Sequence, residues 1–160
     1  MPTTGPARNK PSGTAGKVRI AGRNRSRYYT LSGATTDVPD TMPPNVLVVD
    51  DSSLQRTIVS GALSDRFEVV GEAENGREAV ELFESLEPDL VTMDIMMPEM
   101  DGVEATGRIK SAADGTKVMM CTSVEQAEKM KEAVRAGADE YVTKPFDESE
   151  LLDTATALLQ

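Results

Sequence analysis

Apolar residues fall along this chain in two rhythms. Short apolar runs occupy positions 46–49, 67–70, 90–93, 117–122 and 141–143. Runs of that length, bounded by polar and turn residues, predict strands. Between them apolar side chains return at helical spacing. Asn75, a residue type that caps helix N-termini, precedes Ala79, Val80, Phe83 and Leu86. A helix over 102–112 follows a loop punctuated by Pro98 and Gly102. Residues 124–136 carry Ala127, Met130, Ala133 and Val134 on one side and stop at Gly137. Asp147, with Glu150 three residues later, opens a last helix carrying Leu151, Leu152, Leu158 and Leu159. Five strands alternating with five helices predict an α/β domain, a parallel sheet covered on both faces.

The rhythm begins only after residue 41. Gly, Pro, Ser, Thr and Arg dominate residues 1–41, where only Val18-Arg19-Ile20 and Tyr28-Tyr29-Thr30-Leu31 are apolar in character. So little burial cannot offset an ordering cost of about 1–2 kcal/mol per residue. We therefore expect a disordered tail over 1–41 and a folded domain over 44–160. Charge breaks at the same place. The tail holds seven basic side chains against two acidic ones, while the whole chain carries a net charge of −10. Two readings of the tail stay open. Met42 stands just before the first strand, so translation starting there would make the tail a gene-calling artefact. Alternatively, Arg23-Asn24-Arg25-Ser26-Arg27 beside Tyr28 and Tyr29 forms a basic arm for nucleic acid or an acidic surface.

Other functions are narrowed by what the sequence lacks. No apolar stretch near the start suits a signal peptide, and nowhere do about 18 apolar residues run together. The single cysteine, Cys121, cannot make an internal disulfide. A cytoplasmic protein without membrane insertion is expected.

Chemistry sits at the ends of the strands. The first runs into Asp50-Asp51, the third into Asp94, and the fifth into Lys144-Pro145. Open parallel sheets bind ligands beyond the carboxyl ends of their strands. Alone, the Asp50-Asp51 pair describes a solvated acidic turn as well as it describes a cation site. Like charges brought together and buried require a cation, and Mg²⁺ prefers oxygen ligands, one or two of them carboxylates, with a phosphate beside them. Asp94 adds a third carboxylate, one that can attack a phosphoryl donor and hold an aspartyl phosphate. Thr122 ends the fourth strand, and its hydroxyl can donate to a phosphoryl oxygen. Lys144 precedes a proline, the one residue before which a cis bond is common, and a cis bond would turn the lysine toward the crevice.

Taken together, the segments VLVVDDS, LVTMDIMMPEMDG, MMCTS and YVTKPF resemble the receiver domain of two-component response regulators. Four motifs in this order and spacing carry the resemblance across about 44–160. It implies a doubly wound five-stranded parallel sheet of order 2-1-3-4-5, flavodoxin- and CheY-like, with five helices on both faces. It also implies that Asp94 is the phosphoacceptor in a Mg²⁺-dependent reaction. Asp51, Asp94 and the backbone carbonyl of Met96 would ligate the metal, with Asp50 acting through water. Thr122 and Lys144 would contact the phosphoryl group. Thr122 and Tyr141 would form the switch, the tyrosine turning inward on activation. Met96 and Val124 hold the two positions that tune phosphoryl lifetime. Both are apolar, so neither can orient a hydrolytic water, and slow decay is expected.

The resemblance further implies a phosphoacceptor switch rather than a conventional enzyme. With no histidine in the chain and no P-loop, the phosphoryl group must come from a histidine kinase. No residues follow Gln160 to form a DNA-binding module, so a stand-alone, monomeric receiver is expected. Its output would be protein binding, to a motor switch or adaptor, in chemotaxis. The mixed-charge surface Glu125, Glu128, Lys129, Lys131, Glu132 and Arg135 would take part, unless it is simply a solvated helical face. The alternatives are a phosphorelay carrier and a nucleic-acid-associated regulator using the basic tail. The acidic domain also fits a salt-adapted host, though ordinary receivers are acidic too.

Overall fold

The computed structural model describes residues 18–20, 27–29, 43–113 and 115–160. Contacts divide the chain into two units. In the first, Val18–Ile20 and Arg27–Tyr29 pair antiparallel, with Val18 opposite Tyr29. Val, Ile and Tyr favour strands, and the pair takes in Val18-Arg19-Ile20 and the first two residues, Tyr28 and Tyr29, of the second stretch noted in the tail. The rest of the expected disordered stretch, residues 24–26 of the basic run among it, lies outside the described residues.

The second unit holds a five-stranded parallel sheet. Its strands are β1 (Asn45–Val49), β2 (Glu68–Ala73), β3 (Leu90–Asp94), β4 (Lys117–Ser123) and β5 (Glu140–Lys144), in the order β2-β1-β3-β4-β5. Five α-helices connect and follow them: α1 (Ser53–Leu63), α2 (Gly76–Leu86), α3 (Gly102–Ala112), α4 (Ala127–Ala136) and α5 (Glu148–Leu158). The doubly wound sheet of order 2-1-3-4-5 is therefore present as expected.

Alternation along the central strands sorts the core into two layers. Leu47 and Val49 of β1 join Val91, Met93, Val118 and Met120 in one layer, with Ala79, Phe83, Ala105, Ile109 and Ala133 from α2, α3 and α4. Val46 and Val48 join Leu90, Met119, Cys121 and Val142 in the other, with Val59, Leu63, Leu151 and Ala155 from α1 and α5. A period of two thus supplies both faces from a continuous apolar run, as a sheet buried on both sides requires.

Several local expectations need correction. The second strand runs to Ala73 rather than ending at residue 70. It is an edge strand, and backbone pairing of Leu47 with Gly71 and Val49 with Ala73 extends it past the apolar run. The helix expected over 124–136 opens as a 3₁₀ turn, Val124–Gln126, before α4 begins. Of its expected apolar side, Ala133 is buried and Met130 half-buried, but Ala127 and Val134 are exposed. Only a narrow stripe of α4 meets the core. Asp147 does precede α5, but its side chain makes no capping hydrogen bond. The acidic Glu148 and Glu150 favour that N-terminus through charge.

The cap expected at Asn75 forms, and Asp101 supplies one for α3 that was not among the expectations. Asn75 Oδ1 accepts from Glu78 N at 2.8 Å, and Asp101 Oδ1 accepts from Glu104 N at 2.9 Å. The start of α3 also fixes the loop that follows β3. Gly102 N donates to Ile95 O at 2.7 Å. A Cβ at Gly102 would stand 1.9 Å from the Asp94 carbonyl oxygen, so only glycine lets α3 approach this closely. Gly102→Ala is expected to destabilise the fold by about 2 kcal/mol or more. Denaturant unfolding measures this; a loss below about 0.5 kcal/mol would show that α3 moves aside freely.

Candidate phosphoacceptor site

The carboxyl ends of β1, β3, β4 and β5 deliver the charged residues to one edge of the sheet. Asp50 and Asp51 follow β1 directly, Asp94 is the last residue of β3, and Lys144 is the last of β5. Carboxylate oxygens of Asp50, Asp51 and Asp94 lie within 4.8 Å of one another. Asp50 is 3 % exposed and Asp94 7 %, whereas Asp51 is exposed.

Each carboxylate has a different environment. Asp50 has both oxygens engaged: Oδ1 accepts from Ser52 N at 2.9 Å and Oδ2 from Lys144 Nζ at 2.8 Å. Its backbone is pinned as well. Asp50 N donates to Ala73 O at 3.1 Å, and Arg56 Nη1 donates to Asp50 O at 2.7 Å. Asp94 Oδ1 accepts from Ile95 N at 2.8 Å and lies 3.6 Å from Lys144 Nζ. Asp94 Oδ2 accepts no hydrogen bond among the described residues. Asp51 forms none either, nor any ion pair among them.

One ammonium among three carboxylates leaves the cluster strongly negative. Burial pushes the Asp94 carboxyl up to about 6, and the charges of Asp50 and Asp51 add to it. Lys144 and the Ile95 N–H act in the opposite direction without cancelling the rise. Burial also opposes the charge on Lys144. The hydrogen bond that Lys144 donates to Asp50 and the charges of Asp94 and Asp50 outweigh it and hold the lysine above its ordinary range. The donor set is all oxygen and under-neutralised, which fits a hard divalent cation such as Mg²⁺. The free oxygens of Asp51 and Asp94 are those available to it.

The remaining expected residues are placed around this cluster. Thr122 is 4 % exposed, and its hydroxyl turns to Gln126 Oε1 at 3.0 Å and Ser123 O at 3.2 Å. Tyr141 points outward, 52 % exposed, and the Met96 side chain is 55 % exposed in the loop after β3. Lys144-Pro145 is a cis peptide. The Val124 backbone starts the 3₁₀ turn, and its side chain lies outside the described residues. Cys121, in register with Asp94 on the neighbouring strand, is buried, and burial pushes its thiol up to about 12. It is core rather than nucleophile.

Two functional contacts went unread in the sequence. Arg56 spans from Asp50 O to Glu72, whose carboxylate is 3.9 Å from its Nε. No motif announces that reach. Gln126, by contrast, stands three residues after Ser123, and that spacing is a capping box written in sequence.

An acidic crevice with one lysine, at the carboxyl edge of a doubly wound sheet, defines a class: α/β domains that carry their charged side chains at the strand ends. The chain belongs to the response regulator receiver domain family, whose model matches residues 46–156. It is 50 % identical over 118 residues to the chemotaxis protein CheY of Halobacterium salinarum, covering 74 % of this chain and 98 % of that protein. It is 41 % identical over 113 residues to CheY of Thermotoga maritima, covering 70 % and 94 % respectively. Among solved structures, the CheX-CheY-BeF3-Mg complex from Borrelia burgdorferi matches with a TM-score of 0.69 and 29 % identity, covering 74 % of this chain and 91 % of that chain. The protein is thus a CheY-like receiver domain, a signalling switch rather than a conventional enzyme. Among the described residues no helix is long and apolar enough to cross a membrane.

The charge balance predicts how stability follows pH without metal. Asp94 binds its proton more tightly folded, at about 6, than its ordinary value of 3.8. Its ionisation therefore destabilises the fold, and that penalty grows as pH rises from about 4 to about 6. In EDTA at pH 7, Asp94→Asn is expected to be more stable than the parent by roughly 2–3 kcal/mol. The gap should close toward pH 4. Urea unfolding across that range checks it, and a gap that widens on acidification would reverse the sign.

Proposed function

We propose that this protein is a chemotaxis-type response regulator that accepts a phosphoryl group on Asp94 from a histidine kinase. The observation that carries the reading is the asymmetry of Asp94. Its Oδ1 is held by Ile95 N and faces Lys144, while Oδ2 is without a hydrogen bond among the described residues. One oxygen is oriented and the other is left as a nucleophile.

In the proposed transfer, Asp94 Oδ2 attacks the phosphorus of a phosphohistidine. The new P–O bond forms as the P–N bond breaks, and the leaving imidazole nitrogen keeps the bonding pair and takes a proton from water. Lys144 is placed to pair with a phosphoryl oxygen, and Thr122 would donate its hydroxyl to another. Asp51, Asp94 and the Met96 carbonyl would hold Mg²⁺, with Asp50 acting through water because Ser52 and Lys144 already occupy both of its oxygens. When bound, the cation supplies positive charge for the carboxylates and the phosphoryl oxygens.

Output would follow from redistribution between two packings. Tyr141 is outward here and would turn inward on phosphorylation. The surface of α4, β5 and α5 would then change its preference for a motor switch or adaptor protein. The CheY relatives support the chemotaxis assignment, and the Borrelia complex with BeF3 and Mg supports a shared cation and anion site. We place the folded receiver at 44–160 and the protein in the cytoplasm.

Incubation of the full chain with Mg²⁺ and acetyl phosphate, followed by intact mass measurement, tests this. One phosphoryl group is expected, absent in Asp94→Asn and in EDTA. Uptake by Asp94→Asn equal to the parent's would defeat the assignment. The apolar Met96 predicts slow loss of the group. Met96→Asn, which can orient a water, should shorten the phosphoryl lifetime by several-fold, or about 1 kcal/mol of barrier. An unchanged lifetime would place the control elsewhere.

A further inference from the structure

We propose that Gln126 is a positioning residue that holds the Thr122 hydroxyl in reserve, by competing for the one proton this hydroxyl can donate to a phosphoryl group on Asp94. The proposal rests on the phosphoacceptor reading of Asp94 and adds to it a specific resting-state contact.

The argument begins with which atom faces which. A glutamine amide has an oxygen end and a nitrogen end of nearly the same shape. Here the end nearest Ser123 receives a backbone N–H, with Ser123 N 3.3 Å from Gln126 Oε1. A backbone N–H only donates, so that end must be the oxygen. The same Oε1 lies 3.0 Å from Thr122 Oγ1. A carbonyl oxygen only accepts, so at this contact the threonine hydroxyl is the donor. Among the described residues its one other acceptor is Ser123 O at 3.2 Å, on the same turn. The proton of Thr122 is therefore committed to the 123–126 turn.

A phosphoryl oxygen is also a pure acceptor. Thr122 has one proton, so it cannot serve Gln126 and the phosphoryl group together. With Thr122 4 % exposed, water is a poor intermediary. Engagement of the phosphoryl group must break the contact to Gln126. Gln126 keeps the Ser123 N–H when it is released, so it is not left unpaired. The capping turn thus becomes the resting-state holder of the switch threonine. The strength of this one hydrogen bond sets how far the resting state is favoured, by roughly two- to tenfold.

Changing the acceptor should shift that balance in opposite directions. Gln126→Met keeps length and removes the acceptor. Gln126→Glu keeps an acceptor and charges it, which strengthens a bond from a hydroxyl. The probe is beryllium trifluoride with Mg²⁺, titrated into the full chain and followed through amide signals in NMR spectra. Relative to the parent, Q126M is expected to bind the probe roughly two- to tenfold more tightly, and Q126E more weakly. Both effects should shrink or vanish in a Thr122→Ala background, which a purely structural role of the turn would not produce.

Q126M binding no more tightly than the parent, with its fold intact, overturns the proposal. So does an equal effect of Q126M with and without Thr122. Should Q126M not fold, Q126E decides alone: binding as tight as the parent's, or a loss undiminished in Thr122→Ala, overturns it. If the parent itself binds no probe, the phosphoacceptor reading fails and this proposal falls with it. Failure of the Gln126 role alone is distinct, appearing as parental binding that Q126M leaves unmoved.

Discussion

The domain depends on keeping three carboxylates together against their own repulsion. Lys144 does most of this, with its ammonium 2.8 Å from Asp50 and 3.6 Å from Asp94. It is not enough to neutralise the site, and Asp94 remains pushed up to about 6. A fold selected for stability alone would replace this cluster with apolar residues or pair each charge. Keeping it under-neutralised suits the site to a hard divalent cation, whose charge would complete it. The repulsion is what a cation would relieve, and a phosphoryl group would need that cation and Lys144 beside it.

Such a cluster needs a rigid frame, which the two-layer sheet supplies. The parallel register sets Asp94 beside Cys121 and Ser123 beside Lys144, so the strand ends stay level. Apolar layers on both faces hold those strands, and the site residues are extensions of buried backbone. Gly102 sharpens this further. Its missing side chain lets α3 come down on the Asp94 carbonyl, packing the Asp94 backbone against a helix rather than a loose loop.

Most of this was legible in sequence because apolar runs and turn residues follow a period that tertiary packing respects. The strand ends of β1, β3 and β5, and with them Asp50, Asp94 and Lys144, could be read from where apolar runs stop. The second strand could not, since an edge strand extends by backbone pairing through Gly71 and Glu72 and needs no apolar side chains. Nor could the exposure of Ala127 and Val134. Helical periodicity tells which residues share a face, not how much of that face a neighbour covers. Arg56 escaped for a related reason: its contact is to a backbone carbonyl, and carbonyls leave no mark in a sequence.

The exposed large apolar side chains of the described residues fall into two pairs. Leu54 and Met96, 66 % and 55 % exposed, follow the acidic residues of β1 and β3 in sequence. Val134 and Tyr141, 55 % and 52 % exposed, belong to α4 and β5. Apolar surface left in water at these places is more informative than the same surface scattered. The first pair belongs to segments that a phosphodonor would approach in the proposed transfer. The second belongs to the surface expected to change its partner when Tyr141 moves. Thr122 stands between them, buried, at the end of the strand that separates β3 from β5. The hydroxyl donates within the turn that leads into α4, to Gln126 Oε1 and Ser123 O. A single hydroxyl with one proton and two possible acceptors is a small element, but it is bistable. Such bistability would let a local change of charge at Asp94 be felt at α4 without the sheet itself having to deform.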